Sequence, residues 1–538
     1  MEDRREGVIA NARYLRNVRP IDPEEIHEYV EGQPHPAVVR QLLREEAPTL
    51  GLIEREDGTF VPVPAEPVAP LAEPVEAFPE RYERRLEEHL VDRYGPDWHE
   101  GASGDLLRST LRRVKASYLH GDPVDYDEDV AAGYAIYHLP GYYAAVQYAL
   151  DDLAERKLLG RELRVLDVGA GVGGPALGLC DYLPEDALLE YHAVEPSDAA
   201  DILEAMLSET RRNVHATVHR TTAEAFDPQS AGGGEPYDLV MFCNVLSELE
   251  EPISVCRRYL EALADDGSLL AMAPADRETS IGLRRVERAL EAGARTANLG
   301  EKTESASLEG KAQPASSEGE AQPASDEGAV GRESEESETD EGGGETDDPL
   351  DVTVYGPAVR LWPGRTPSDR GWTFDVRPDL AVPSFQRSLD RAASDPDHEP
   401  GEFVNVDVQF SHSILRTDGT RRVDLSLDPG RWAKMAEMDR HVTNRIDLVA
   451  AKLSRSLSDD GSVGPSGSSP NPLFKVSDGS ETVDHYAVVT AETAMNRSLL
   501  AADYGDVLAF ESVLALWNED ERAYNLVVDE ETIVDPVA

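Results

Sequence analysis

The chain has 538 residues, room for about three or four ordinary domains, and its 105 acidic against 51 basic residues give a formal charge of −54. That acidity runs along nearly the whole sequence, which fits a solvated, halophilic surface in a high-salt cytoplasm better than a dedicated cationic partner. No apolar stretch forms a secretion signal or approaches the roughly 20 residues of a membrane span. Its cysteines are Cys180, Cys243 and Cys256, with no Cys-x-x-Cys pair. The reading is a cytoplasmic protein with no membrane partner, no disulfide framework and no metal site, and no DNA partner is predicted.

Residues 1–64 read as a small α/β module. Asp22 can cap a helix with Pro23 at its first position, "HPAVVRQLLREEA" reads as a second helix, and "LIEREDGTFVPV" as a hairpin turning at Asp57-Gly58. This order suits a winged-helix-like unit, with a plain docking module as the alternative, since the wing carries only Arg55 as a cation. Prolines punctuate residues 65–80, which read as a stiff linker.

Residues 81–295 begin with helical spacing and continue as strand-like runs alternating with helical ones: "RVLDVG", "LLEYHAVE", "VHATVHR", "YDLVMFCN" and "GSLLAMAP". The alternation predicts an α/β fold with a doubly wound, Rossmann-like sheet and ligands at the carboxyl ends of its strands. Residues 296–349 are Glu, Ser, Ala, Gly and Asp, repeat "AQPAS", and read as a disordered acidic low-complexity insert. Residues 350–538 are β-rich, with "FVNVDVQFS", "RRVDLSL", "DHYAVVTA", "DVLAFESVLALW" and "YNLVVDEETIV" as strands. They form either a small barrel or, in part, the completion of the core sheet.

The motif that carries chemistry is "VLDVGAGVGG" at 165–174. Gly169, Gly171 and Gly174 match the dinucleotide spacing, but Asp167 makes a second and more specific pattern, apolar-Asp-x-Gly-x-Gly-x-Gly. A carboxylate is a liability beside a pyrophosphate and an asset beside the ammonium and sulfonium of S-adenosylmethionine. The predicted fold is therefore a class I S-adenosylmethionine-dependent methyltransferase core, with Asp167, Gly169, Gly171 and Gly173 at the cofactor. Glu195, ending the second strand, is placed to accept from both ribose hydroxyls. Thr222 is the candidate near the adenine amino group, with a helix cap as its alternative. No catalytic residue is identified; Asn244 is a candidate that could face the transferred methyl group, with loop capping as the favoured alternative. In-line transfer from an activated carbon needs positioning more than an acid–base pair, so no such pair need be visible.

"YAIYHLPGYYAAVQYALDDLAER", leading into "VLDVGAGVGG" and followed by "YDLVMFCNVLSELEE", resembles the methyltransferase-like family associated with the small ribosomal subunit, a mitochondrial assembly factor and its prokaryotic relatives. The resemblance spans residues 81–293 and, more loosely, 351–430. It implies S-adenosylmethionine as cofactor, ribosomal RNA or the assembling small subunit as partner, and a role in ribosome assembly and translation. It leaves open an rRNA methyltransferase or a noncatalytic assembly factor that keeps the fold. Mitochondrial relatives bind an iron–sulfur cluster through a cysteine-rich segment. No cysteine follows Cys256 here, and "WTF" at 372–374 stands where the family has an aromatic-Cys-His-Phe element, so no cluster is expected. Within 355–391, Arg360, Trp362, Arg365, Arg370, Trp372 and Arg377 are RNA-binding candidates, with internal Arg–Asp pairing as the alternative. A nicotinamide oxidoreductase is the remaining reading, and Asp167 argues against it.

Overall fold

The computed structural model describes residues 2–120, 124–292, 350–368, 371–396, 398–458 and 471–537. The predicted insert at 296–349 and Arg370 lie outside the described residues. Helices α1 (Glu2–Leu15), α2 (Pro23–Ile26) and α3 (Pro36–Leu50) precede a hairpin of β1 (Leu52–Glu54) and β2 (Phe60–Pro62). Asp22 caps α2 by accepting from the Glu24 amide at 2.9 Å, with Pro23 at the first position. Val8, Ile26, Val39, Leu43 and Phe60 share one core, and Ile21 bridges Phe60 to widen the hairpin. The order is winged-helix-like, yet the hairpin is docked: Glu54 and Asn213 exchange hydrogen bonds, and Ile53 and Val61 pack on Leu188.

Three helices follow, α4 (Glu80–Tyr94), α5 (Gly101–His120) and α6 (Glu128–Ala154). The proline-rich stretch before them is a strap laid along α6 and the loop after it. The Val68, Leu71 and Val75 amides donate to the Leu159 carbonyl, Asp151 and the Tyr148 hydroxyl, while Phe78 packs on Tyr143. Proline keeps this backbone out of regular structure, so partners outside any ladder satisfy its amides.

The core alternates as the sequence predicts: β3 (Glu162–Val168), α7 (Gly174–Tyr182), β4 (Leu188–Val194), α8 (Ala199–Leu207), β5 (Val214–His219), β6 (Tyr237–Cys243), α9 (Pro252–Leu260), β7 (Leu263–Pro274) and α10 (Arg277–Glu291). It is completed from beyond the insert by β8 (Thr353–Gly356), β9 (Asp375–Arg377), α11 (Ser384–Arg391) and β10 (Val408–Arg416). Strand order is β5-β4-β3-β6-β7-β10-β8, with β9 also on β10. The strands β5 to β7 are mutually parallel, and β10 enters antiparallel between β7 and β8. The stretch "FVNVDVQFS" thus belongs to the core sheet. Two apolar layers cover the sheet, one under α6 and α7 and the other under α9 and α10.

The rest of the chain is a separate barrel: β11 (Arg445–Lys452), β12 (Leu473–Ser477), β13 (His485–Val489), α12 (Ser498–Ala501), β14 (Val507–Asn518), β15 (Ala523–Val528) and β16 (Ile533–Pro536). The order β11-β12-β13-β15-β14 closes through β11–β14 pairing, with β13 and β15 parallel and β16 added to β14. That is OB-fold order, filled by Leu448, Phe474, Val476, Leu508, Phe510 and Leu526. "RRVDLSL" joins no sheet. Its Val423, Leu425 and Leu427 cluster with Trp362 and Leu453 on the barrel's outside.

Candidate active site

The glycine loop follows β3 at the carboxyl end of the sheet. Gly169 donates to the Val194 carbonyl at 2.8 Å with φ +69°, and a Cβ there would meet Val245 Cγ2 at 2.4 Å, so this position requires glycine. Gly171 has φ +54° and nothing within 4 Å of where its Cβ would point, so it offers bare backbone to open space. Gly173 is the N-cap of α7, and its missing side chain would point at Leu203 on α8. That face of Gly173 serves packing between helices.

Asp167 is fully buried at the end of β3. Its Oδ2 accepts from the Tyr191 hydroxyl at 2.6 Å, and its Oδ1 is buried without a partner. Burial raises the carboxyl to about 7, with the Tyr191 donor opposing the shift and Glu195 adding repulsion. Glu195 accepts from the Gly171 amide at 2.8 Å on one oxygen and from the Ser197 amide and hydroxyl, at 2.9 and 2.5 Å, on the other. Glu195 thus ties the end of the second core strand to the glycine loop.

Asn244 follows β6 with φ +63°, a left-handed conformation that asparagine tolerates, and its amide donates to the Met272 carbonyl at 3.0 Å. Its side chain makes no hydrogen bond among the described residues, which disfavours the loop-capping alternative. Thr222 is exposed and its hydroxyl accepts from the Ala225 amide at 3.3 Å, as a cap does.

For the arginine- and tryptophan-rich segment, the internal-pairing alternative holds at several positions. Arg360, with a side chain 4% exposed, is clamped by Glu287 at 3.0 Å and Glu291 at 2.7 Å. Trp362 is buried and donates to Asp478 at 2.8 Å, Arg377 pairs with Asp375 at 2.7 Å, and Trp372 donates to the Ala275 carbonyl and stacks on Phe374. The RNA reading of Arg360 and Trp362 is therefore corrected, because a buried guanidinium clamped by two carboxylates and a buried indole cannot reach a nucleic acid, whereas Arg377 is paired but only half-buried. Arg365 is exposed.

Sequence reasoning assigned no role to Tyr191, Ser197 or the aromatic face of α6. Tyr191 lies in an apolar strand, where tyrosine reads as core. Tyr142 of α6 abuts Gly174 at the loop's exit, where an added Cβ would sit 2.8 Å from Tyr142 Cβ. The three cysteines are buried thiols, and no group of three or more His, Cys, Asp or Glu among the described residues could hold a metal.

A methyltransferase domain model matches residues 166–269, the stretch from the end of β3 to the middle of β7. The core is a class I methyltransferase domain. Flanking it, the N-terminal and C-terminal models of a domain of unknown function (DUF8157) match residues 5–56 and 436–537, the docked module and the barrel. Among solved structures, the methyltransferase domain is similar to the plantazolicin methyltransferase BpumL in complex with SAH, at 14% identity and TM-score 0.21, covering 38% of this chain and 63% of that one. An S-adenosylmethionine-dependent methyltransferase from Clostridium acetobutylicum aligns at 12% identity and TM-score 0.20, over 31% of this chain and 57% of that one. The mitomycin 7-O-methyltransferase MmcR aligns at 16% and TM-score 0.21, over 51% and 76%. The chain thus spans less than two thirds of the first two proteins. No curated protein sequence matches the chain. Among the described residues, no helix is long and apolar enough to cross a membrane.

Proposed function

We propose that this chain is an S-adenosylmethionine-dependent methyltransferase acting on ribosomal RNA of the assembling small subunit. The observation that carries the reading is Asp167, a buried carboxyl with one unpartnered oxygen, at the base of a loop whose Gly171 offers bare backbone. A buried acceptor suits a cationic ligand and would repel a pyrophosphate. When bound, S-adenosylmethionine supplies a methyl carbon activated by its sulfonium. Asp167 and the glycine loop would hold its charged end, and Glu195 its ribose. Asn244 stands at the end of β6 with a free amide to orient the acceptor.

The ribosomal partner is supported by the resemblance of the α6 sequence, the glycine loop and the β6 stretch. The test is transfer of labelled methyl, in molar potassium chloride, to small subunits from a strain lacking this protein, with Asp167→Ala as control. Label in RNA that disappears with the variant supports the proposal. Cofactor binding and subunit association without label would favour a noncatalytic assembly factor.

A further inference from the structure

On the docked module, arginines from two distant stretches of chain converge on one carboxylate. Glu54 of the hairpin has a side chain 2% exposed, and Arg44 of α3 donates to it twice, from Nε at 2.5 Å and from Nη2 at 2.9 Å. Arg40, one helical turn earlier, and Arg212, just before β5, stand at 3.9 and 3.8 Å, too far to hydrogen-bond it. Arg44 alone satisfies the buried acid, so the other two guanidiniums are a surplus. Arg40 and Arg44, four apart on α3, also repel one another, which fold stability does not call for.

The surplus reaches solvent, since the side chains of Arg40, Arg44 and Arg212 are 34%, 43% and 47% exposed. Arg40 makes no hydrogen bond among the described residues. Its Nε is buried without a partner, and its Nη2 lies 3.1 Å from where a Cβ on Gly58 would stand, so it runs along the hairpin turn. Arg212 donates to the carbonyl of Arg55, itself exposed, at 3.2 Å. Of the acids at the turn, Asp57 accepts from the Thr59 amide and hydroxyl at 2.9 and 2.7 Å, and the exposed Glu56 forms no ion pair among the described residues. Val38, the large exposed apolar side chain of α3, is two positions from Arg40 and about 160° around the helix from it. The arginine face thus lacks the apolar anchor on which protein partners rely.

We propose that Arg40, Arg44 and Arg212 form a phosphate-binding surface for an RNA backbone, a contact separate from the cofactor loop. The inference rests on the RNA partner proposed above and not on methyl transfer. Planar guanidiniums match phosphate oxygens two at a time, and arginines on separate elements suit a chain of phosphates better than one anion. Molar salt screens attraction at a distance, so a chain of charge −54 grips RNA through direct hydrogen-bonded contact. Such contacts position the RNA and read no sequence. The surface lies where β4 and β5 begin, and the seven residues of β4 set the cofactor end about 20 Å away. The module therefore holds a stretch of RNA other than the one at the glycine loop.

The experiment measures binding of small-subunit RNA and of polyuridine to the whole chain, wild type and the Arg40→Gln, Arg212→Gln double variant, from about 0.5 to about 2 M potassium chloride. Melting temperature and S-adenosylmethionine affinity are followed alongside, and Arg44 is kept so that Glu54 retains its partner. The double variant should bind both RNAs about tenfold more weakly, and its plot of log affinity against log salt should be shallower by about 1.5, two phosphate contacts at about 0.7–0.9 each. Its melting temperature and cofactor affinity should match wild type, and cross-links from this face in complexes with small subunits should run to RNA. RNA affinity within twofold of wild type, a loss of affinity without change of slope, or cross-links to protein alone would overturn the proposal and leave the methyltransferase reading intact. Wild type that binds neither RNA would overturn this proposal and the ribosomal partner together, while its cofactor affinity still reports on the glycine loop.

Discussion

Asp167 sets the pH behaviour at the residue scale. Its carboxyl titrates near 7 in the fold against an ordinary value of 3.8, so between those values the native state binds the extra proton and stability falls as pH rises. Above about pH 7 the full loss is present, at most about 4 kcal/mol for a group buried this deeply. Asp167→Asn should therefore raise the melting temperature of the ligand-free protein more at pH 8 than at pH 5, while weakening S-adenosylmethionine binding at least tenfold. Equal gains at both pH values would contradict the assignment. Because a cationic ligand favours the carboxylate, affinity of the unmodified protein should rise with pH and level off above about 7, as calorimetry across that range would record. The two loop glycines should separate in the same assays. Gly169→Ala, strained in φ and clashing with Val245, should lower the melting temperature, whereas Gly171→Ala should chiefly lower cofactor affinity. Asp167 and Glu195 were legible in the sequence because strand, glycine turn and strand end recur at readable spacing. Tyr191 was not, since its role depends on β3 and β4 pairing Val165 with it and bringing Asp167 within reach.

At the scale of elements, the parallel strands were legible because each is an apolar run followed by a helical one. The insertion of β10 between β7 and β8 was not, because its pairing with β7 spans residues 293–349 and more than 130 residues of sequence separate the two strands. Strand β11, "RIDLVAAK", escaped notice because its apolar residues do not alternate strictly and it follows a short helix and a turn at 441–444. "RRVDLSL" alternates like a strand, but its apolar side chains cover the barrel's flank. The arginine-rich segment was ambiguous for a related reason: Arg and Trp in a coil look alike whether they meet RNA or carboxylates. What decides is Glu287 and Glu291 on α10, whose approach no local pattern encodes. Arg360→Ala leaves the buried Glu287 without one of its two guanidiniums and should cost about 3–5 kcal/mol in chemical denaturation. It should leave the affinity of the folded protein for small-subunit RNA within twofold; a large loss of RNA affinity at unchanged stability would restore the RNA reading of this segment.

At the scale of the whole molecule, the module docks where β3, β4 and β5 begin, far along the sheet from the glycine loop at their carboxyl ends. This leaves the cofactor end clear of it. A charge of −54 repels itself, so the melting temperature should rise steeply from low salt to molar potassium chloride, where the Debye length falls to about 3 Å. At that salt counterion release would contribute little to the proposed RNA binding, whose recognition would then rest on stacking and shape. All of this rests on the identity of the ligand in the glycine loop. The most direct measurement is calorimetric titration of wild type and Asp167→Ala with S-adenosylmethionine and with NAD in molar potassium chloride. We expect saturable binding of S-adenosylmethionine, lost in the variant, and none of NAD. Binding of NAD in preference to S-adenosylmethionine would contradict this.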